Sequence, residues 1–167
     1  MKKILALISA VFFLTLIPMS VVNAAELPQE QKVQYRTQIK ERREIIRQNT
    51  ANNNRLELQI DDRSEELGKV IVKLFDREMP PSEDKLSQIT NLQESVVKNA
   101  EQVAVTQRSI RRLKKEASIN VNEQNYQQAL QNFDKIIELQ EKERELLLAF
   151  DKNIQGLIEL INSLQYK

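Results

Sequence analysis

The 167-residue sequence holds no cysteine, no histidine and no tryptophan, with only two glycines and four prolines. Without histidine there is no imidazole base, no His-based triad and no imidazole metal ligand. Without cysteine there is no thiol nucleophile, thiolate zinc site, disulfide or lipid-modified N-terminal cysteine. Gly68 and Gly156 stand far apart, so no glycine-rich loop can cradle a phosphate. The same scarcity of chain breakers excludes a multi-stranded sheet with tight turns.

Carboxylates remain. Asp61, Asp62, Glu65 and Glu66 form a tight cluster. It has neither the loop nor the glycine of an EF-hand and reads as a solvated helix face. A carboxylate pair for glycoside hydrolysis needs a cleft, which a slim helical bundle does not offer. The expectation is a non-enzyme, with no catalytic residue, no metal ligand and no cofactor.

The first 24 residues differ from the rest. Lys2 and Lys3 precede an apolar run from Ile4 to Ile17, Pro18 ends the run, and Val22-Asn23-Ala24 supplies a cleavage site. This is the pattern of a secretory signal peptide cut between Ala24 and Ala25. The rival is an uncleaved anchor, but the apolar run falls short of the about 20 residues a spanning helix needs. The expected mature chain is 25–167, one domain without a spanning helix, exported to the cell envelope or beyond. Loss of Lys2 and Lys3 takes the net charge from +1 to −1. Such a balance gives no general pull toward nucleic acid, whose binding rests on phosphate neutralisation.

The mature composition, rich in Gln, Glu, Lys, Arg, Leu, Ile and Asn, is that of long helices. Pro28 suits a first helical turn, and Pro80-Pro81 must stop a helix. Ser82 reads as the next cap, with Glu83 and Asp84 at the positive helix end. Asn120 with Glu123 reads as a capping-box variant around a turn near residues 118–121. The expected helices are therefore about 29–78, 83–117 and 122–164. Asn49-Thr50-Ala51-Asn52-Asn53-Asn54 is poor helix-forming sequence and could split the first helix. The apolar phase, however, runs from Ile46 through Asn53 to Ile60 without a slip.

Each helix carries a heptad seam, including Ile39, Ile46, Asn53 and Ile60, then Val96, Val103 and Ile110, then Phe133, Gln140, Leu147 and Ile154. Three seams joined by short turns predict an all-α fold, an antiparallel three-helix coiled-coil-type bundle. The segment from Asn125 to Leu139 resembles the second half of a tetratricopeptide repeat at Tyr126, Ala129, Leu130, Phe133 and Ile136. It has no second copy, and a repeat unit does not stand alone, so these residues read as ordinary seam positions.

Folding the helices back about Pro80 and Asn120 places residues 29–53 and 104–134 at one end, with five positive charges in excess. Lys40, Arg42, Arg43, Arg47, Arg108, Arg111, Arg112, Lys114 and Lys115 form its candidate patch for an anionic partner: an envelope polymer, a lipid headgroup or an acidic protein. The bland reading is a solvated surface with intrahelical pairs. The same register brings Arg63, Asn99, Gln140 and Glu143 into one polar core layer centred on an Arg63–Glu143 pair. It also leaves Val33, Tyr35 and Ile39 on an overhang, as an apolar stripe open to a partner or a second copy. The function these features suggest is an exported helical interaction or structural protein. The alternative is an extracytoplasmic chaperone holding unfolded clients. Mass spectrometry of the exported protein is expected to find Ala25 at the N-terminus, to within about two residues. An intact Met1 in a membrane fraction overturns the signal-peptide reading.

Overall fold

The computed structural model describes residues 27–75 and 81–164. The signal segment, the expected end of the first helix at Glu78, and Pro80 lie outside the described residues. Three helices follow in order: α1 Gln29–Phe75, α2 Glu83–Asn122 and α3 Tyr126–Ser163. Among the described residues there is no strand, and no helix is long and apolar enough to cross a membrane.

Helix α1 is unbroken over 47 residues. Its asparagine-rich stretch costs a few tenths of a kcal/mol per residue in propensity, roughly. Tertiary contact offsets this: Asn53 is buried, and its Nδ2 donates to the Gln140 carbonyl at 3.0 Å. Ser82 does sit at the N-cap of α2, but its hydroxyl makes no capping bond. Its carbonyl accepts from Leu86 N–H at 2.9 Å instead.

The second turn falls later than the sequence suggests. α2 continues through residues 118–121 to Asn122, and α3 starts at Tyr126. Asn125 N–H donates to the Asn120 carbonyl at 2.8 Å and Gln124 N–H to the Val121 carbonyl at 3.2 Å. This pair of bonds is a Schellman motif. It needs a left-handed residue, and Gln124 takes that role with φ of 62°. Asn120 therefore serves the end of α2 as an acceptor, not the start of α3 as a cap.

Helix α3 is the shared partner. Its residues supply half of one apolar cluster and more than half of the other. One cluster joins Ile39, Ile46, Ile110, Leu113 and Ala117 to Tyr126, Phe133 and Ile136. The other joins Ile60, Val70 and Val103 to Leu147, Ile154 and Ile161. Partners in α1 climb the chain with those in α3, as in Arg42–Asp134 and Arg63–Asp151. Partners in α2 descend: Leu113 and Ala117 lie with Tyr126, while the Leu92 side chain faces Gly156, where an added Cβ would meet it in ordinary van der Waals contact. Among the described residues, no Cα of α1 comes within 8 Å of one in α2.

The longer α2 moves the start of α3 toward the N-terminus of α1, and this removes the expected overhang. Tyr35 stacks on Tyr126 with ring centroids 5.6 Å apart. Ile39 is 5% exposed and belongs to the core. Of the three stripe residues only Val33, at 53%, stays exposed. Ile39→Ala is accordingly expected to cost about 2–4 kcal/mol, while Val33→Ala stays within about 0.5 kcal/mol. Urea unfolding reads both, and equal small losses would return Ile39 to a free stripe.

Candidate functional site

Between the two apolar clusters lies a layer of buried polar side chains: Asn53, Thr106, Gln140 and Glu143. Asn53 Nδ2 donates to Glu143 Oε2 at 2.8 Å. Gln140 Nε2 donates to Thr50 Oγ1 at 2.7 Å and to the Ile46 carbonyl at 3.1 Å. Thr106 returns its hydroxyl to the Gln102 carbonyl at 2.9 Å. Two residues of the expected layer are thus present, Gln140 and Glu143, and two are not.

Arg63 does not meet Glu143. It reaches Asp151, with Nε 2.6 Å from Oδ1, about two helical turns further along α3. Asn99 is half-buried and makes no side-chain hydrogen bond among the described residues. The partner of Glu143 is a neutral amide at a seam position of α1, not an arginine. The reason is register: bonded partners of α1 and α3 stand 87 to 94 residues apart, not the 80 that the Arg63–Glu143 pairing requires.

Above this layer runs a groove with α1 as one wall, α2 as the other and α3 as floor. Its first hollow, about 750 Å³, is lined by Arg36, Lys40, Arg43, Glu44 and Arg47 over Ile39, Val121 and Tyr126. The next, about 210 Å³, lies between Thr50 and Asn54 of α1 and Arg111 and Lys114 of α2. A third, about 270 Å³, runs from Glu57 and Asp61 to Ala100 and Ala104, over Leu147 and Phe150. Arg36, Lys40, Arg43, Arg47, Asn54 and Asp61 recur at steps of three, four or seven residues, so one face of α1 forms its side of the rim.

The charges in the first hollow are unevenly satisfied. Arg47 Nη2 lies 2.8 Å from Glu44 Oε1. Hydrogen bonds from Arg47, then from Gln48, hold the Glu44 carboxyl below its ordinary value. Glu44 therefore stays ionised and neutralises Arg47. Arg36, Lys40 and Arg43 make no ion pair among the described residues. The Arg43 guanidinium lies over the Phe133 ring, 5.6 Å from its centroid, which fixes the head above the floor.

The nine basic residues expected to form one patch are divided by the fold. Lys40, Arg43 and Arg47 line the first hollow, and Arg111 and Lys114 line the second. Arg42 points to α3 and binds Asp134 with Nε–Oδ1 at 2.7 Å and Nη2–Oδ2 at 3.3 Å. Arg112 pairs with Glu116 at 3.6 Å. Arg108 donates to the Ala104 carbonyl at 3.2 Å. Lys115 is exposed and lines none of these hollows. Arg36 was not among the nine, although it precedes Lys40 by one turn and shares its face. Val121 carries no sequence signal and Tyr126 reads only as a seam position, because their place in the hollow depends on the late turn.

The polar layer makes a stability prediction. Asn53→Ala leaves the buried Glu143 carboxylate without its donor and should cost about 2–3 kcal/mol. Asn53→Leu combined with Glu143→Leu should lose less than that, since no buried charge is left unpaired. Urea unfolding compares the two. A larger loss in the double variant would show that the layer contributes net stability rather than register alone.

No protein-family model, no curated protein and no solved structure matches this chain. The functional reading therefore rests on its own residues.

Proposed function

We propose that the chain is an exported, non-catalytic interaction protein of the cell envelope or secreted fraction. Its body is an antiparallel three-helix coiled-coil-type bundle, and the basic end of its groove receives a partner bearing carboxylates. One observation carries this reading. Arg36, Lys40, Arg43 and Arg47 are displayed on a single helix face, around an apolar floor, with Glu44 the one acid lining the hollow among the described residues. A row of cations beside apolar surface suits a chain that alternates carboxylates with apolar side chains, as an acidic helix does. The signal-peptide pattern of the first 24 residues supports export. The absence of histidine and cysteine supports a binding role over catalysis.

Titration with fluorescent poly-glutamate at about 50 mM salt tests the hollow. Arg36→Gln with Lys40→Gln is expected to weaken binding roughly tenfold, as two exposed charge contacts would. Arg108→Gln with Lys115→Gln, outside the first hollow, should leave binding nearly unchanged. Equal weakening by both pairs would reduce the attraction to bulk charge. Binding to anionic vesicles in preference to poly-glutamate would replace the acidic segment with a lipid surface.

A further inference from the structure

The exposed face of α1 changes sign along its length. Cations come first, with Arg36 and Lys40. Small or neutral residues follow at Ala51 and Asn54, and then come Asp61 and Glu65. Their separations are sums of three- and four-residue steps, which keeps them all on one helix face. The arrangement is symmetric about Thr50 and Ala51. Lys40 precedes that midpoint by about as many residues as Asp61 follows it, and Arg36 by about as many as Glu65 follows it. At 1.5 Å per residue these arms are about 16 and 22 Å long.

We infer that the carboxylate-bearing partner is a second copy of this chain, its α1 laid end for end along the α1 face of the first. This deepens the proposed function and rests on the reading of the basic hollow as a carboxylate site. Turning one α1 end for end about Thr50–Ala51 sets Lys40 opposite the second copy's Asp61, and Arg36 opposite its Glu65. The twofold axis repeats both pairs on the other side, so four attractive contacts arise from two residue pairs. Laying the helices side by side in the same direction would instead set cation against cation and acid against acid.

Two further observations fit this occupant. Ala51 is small and exposed at the midpoint, which lets two helix backbones approach closely. Leu58, 65% exposed and on the same face, gains cover from the second helix. Glu65 does pair with Lys69 at 2.7 Å within α1. That pair is fully in solvent and weak, so Glu65 remains free to turn to a better partner.

Exposed charge contacts are screened by salt, so the dimer should be salt-sensitive. Sedimentation velocity of the purified chain is expected to show dimer at about 50 mM salt, with the dissociation constant rising at least about tenfold by about 500 mM. Arg36→Glu with Lys40→Glu should be monomeric, and so should Asp61→Lys with Glu65→Lys. Mixing those two variants should restore a dimer, because every facing pair then has opposite charge. The chain carrying all four changes should dimerise by itself. Circular dichroism confirms the fold of each variant, since all four side chains lie in solvent. Dimerisation of either double variant at the wild-type strength would overturn the inference, as would a mixture that stays monomeric. A wild-type chain that is monomeric at every salt yet binds poly-glutamate through Arg36 and Lys40 would also overturn it. In that event the carboxylate reading stands and the partner is another protein. Failure of both assays removes the two readings together.

Discussion

Asn53 donates to Glu143 and to the Gln140 carbonyl within the same buried layer, and these bonds fix how α1 lies on α3. Sliding α1 by one turn would set Asn53 beside Ile136 or Leu147 and leave a buried carboxylate with no donor. Leaving such a charge unpaired costs several kcal/mol, far more than the apolar contacts could recover by repacking. A seam of isoleucines alone would tolerate the slide much better, because Ile39, Ile46 and Ile60 are interchangeable knobs. The distant contacts follow from this one alignment. Arg42 reaches Asp134, Arg63 reaches Asp151 and Tyr35 stacks on Tyr126 because Asn53 has found Glu143.

The second constraint is that α1 and α2 both pack on α3 and stay apart from each other. The Gln107 side-chain amide, donating to Glu57, bridges the gap between them. The groove is a consequence of that spacing. Much of its electrostatic character comes from α1, where local pairs such as Arg47 with Glu44 and Lys69 with Glu65 neutralise some charges and leave others unmatched, while α2 adds Arg111 and Lys114. Arg36, Lys40 and Asp61 are among those that make no ion pair among the described residues.

The helices and most of the core were legible because hydrophobic periodicity is local information. Ile46, Ile60, Val103, Ile110, Leu147 and Ile154 are read from spacing alone and all are buried. Asn53 at a seam position was readable too, and so were Gln140 and Glu143. What spacing could not supply was register between helices, which depends on where the turn falls. A turn displaced by four residues shifts facing positions across α2 and α3 by about twice that, since one strand of the hairpin lengthens as the other shortens. The signal that misled was Asn120 with Glu123. Asn120 accepts through its backbone carbonyl, which any residue could supply, so its side chain gave a false capping signal, and the true turn residue, Gln124, has none of the glycine character that usually marks a left-handed position. From that single displacement came the absent overhang, the partner exchange of Arg63 and Glu143, and the division of the basic patch.

The order of the helices along the chain has a kinetic consequence. α2 and α3 are joined by a short turn, so their hairpin closes a small loop and can form early. α1 has no comparable neighbour: its backbone keeps clear of α2, and its bonded partners on α3 lie about 90 residues away. Emerging first, it must wait with its apolar side uncovered until α3 has been made. The helix with the longest wait is also the one whose middle is richest in asparagine and poorest in intrinsic helicity. Its central segment should therefore acquire lasting structure late, when the amide of Asn53 meets a carboxylate that the rest of the molecule has already set in place.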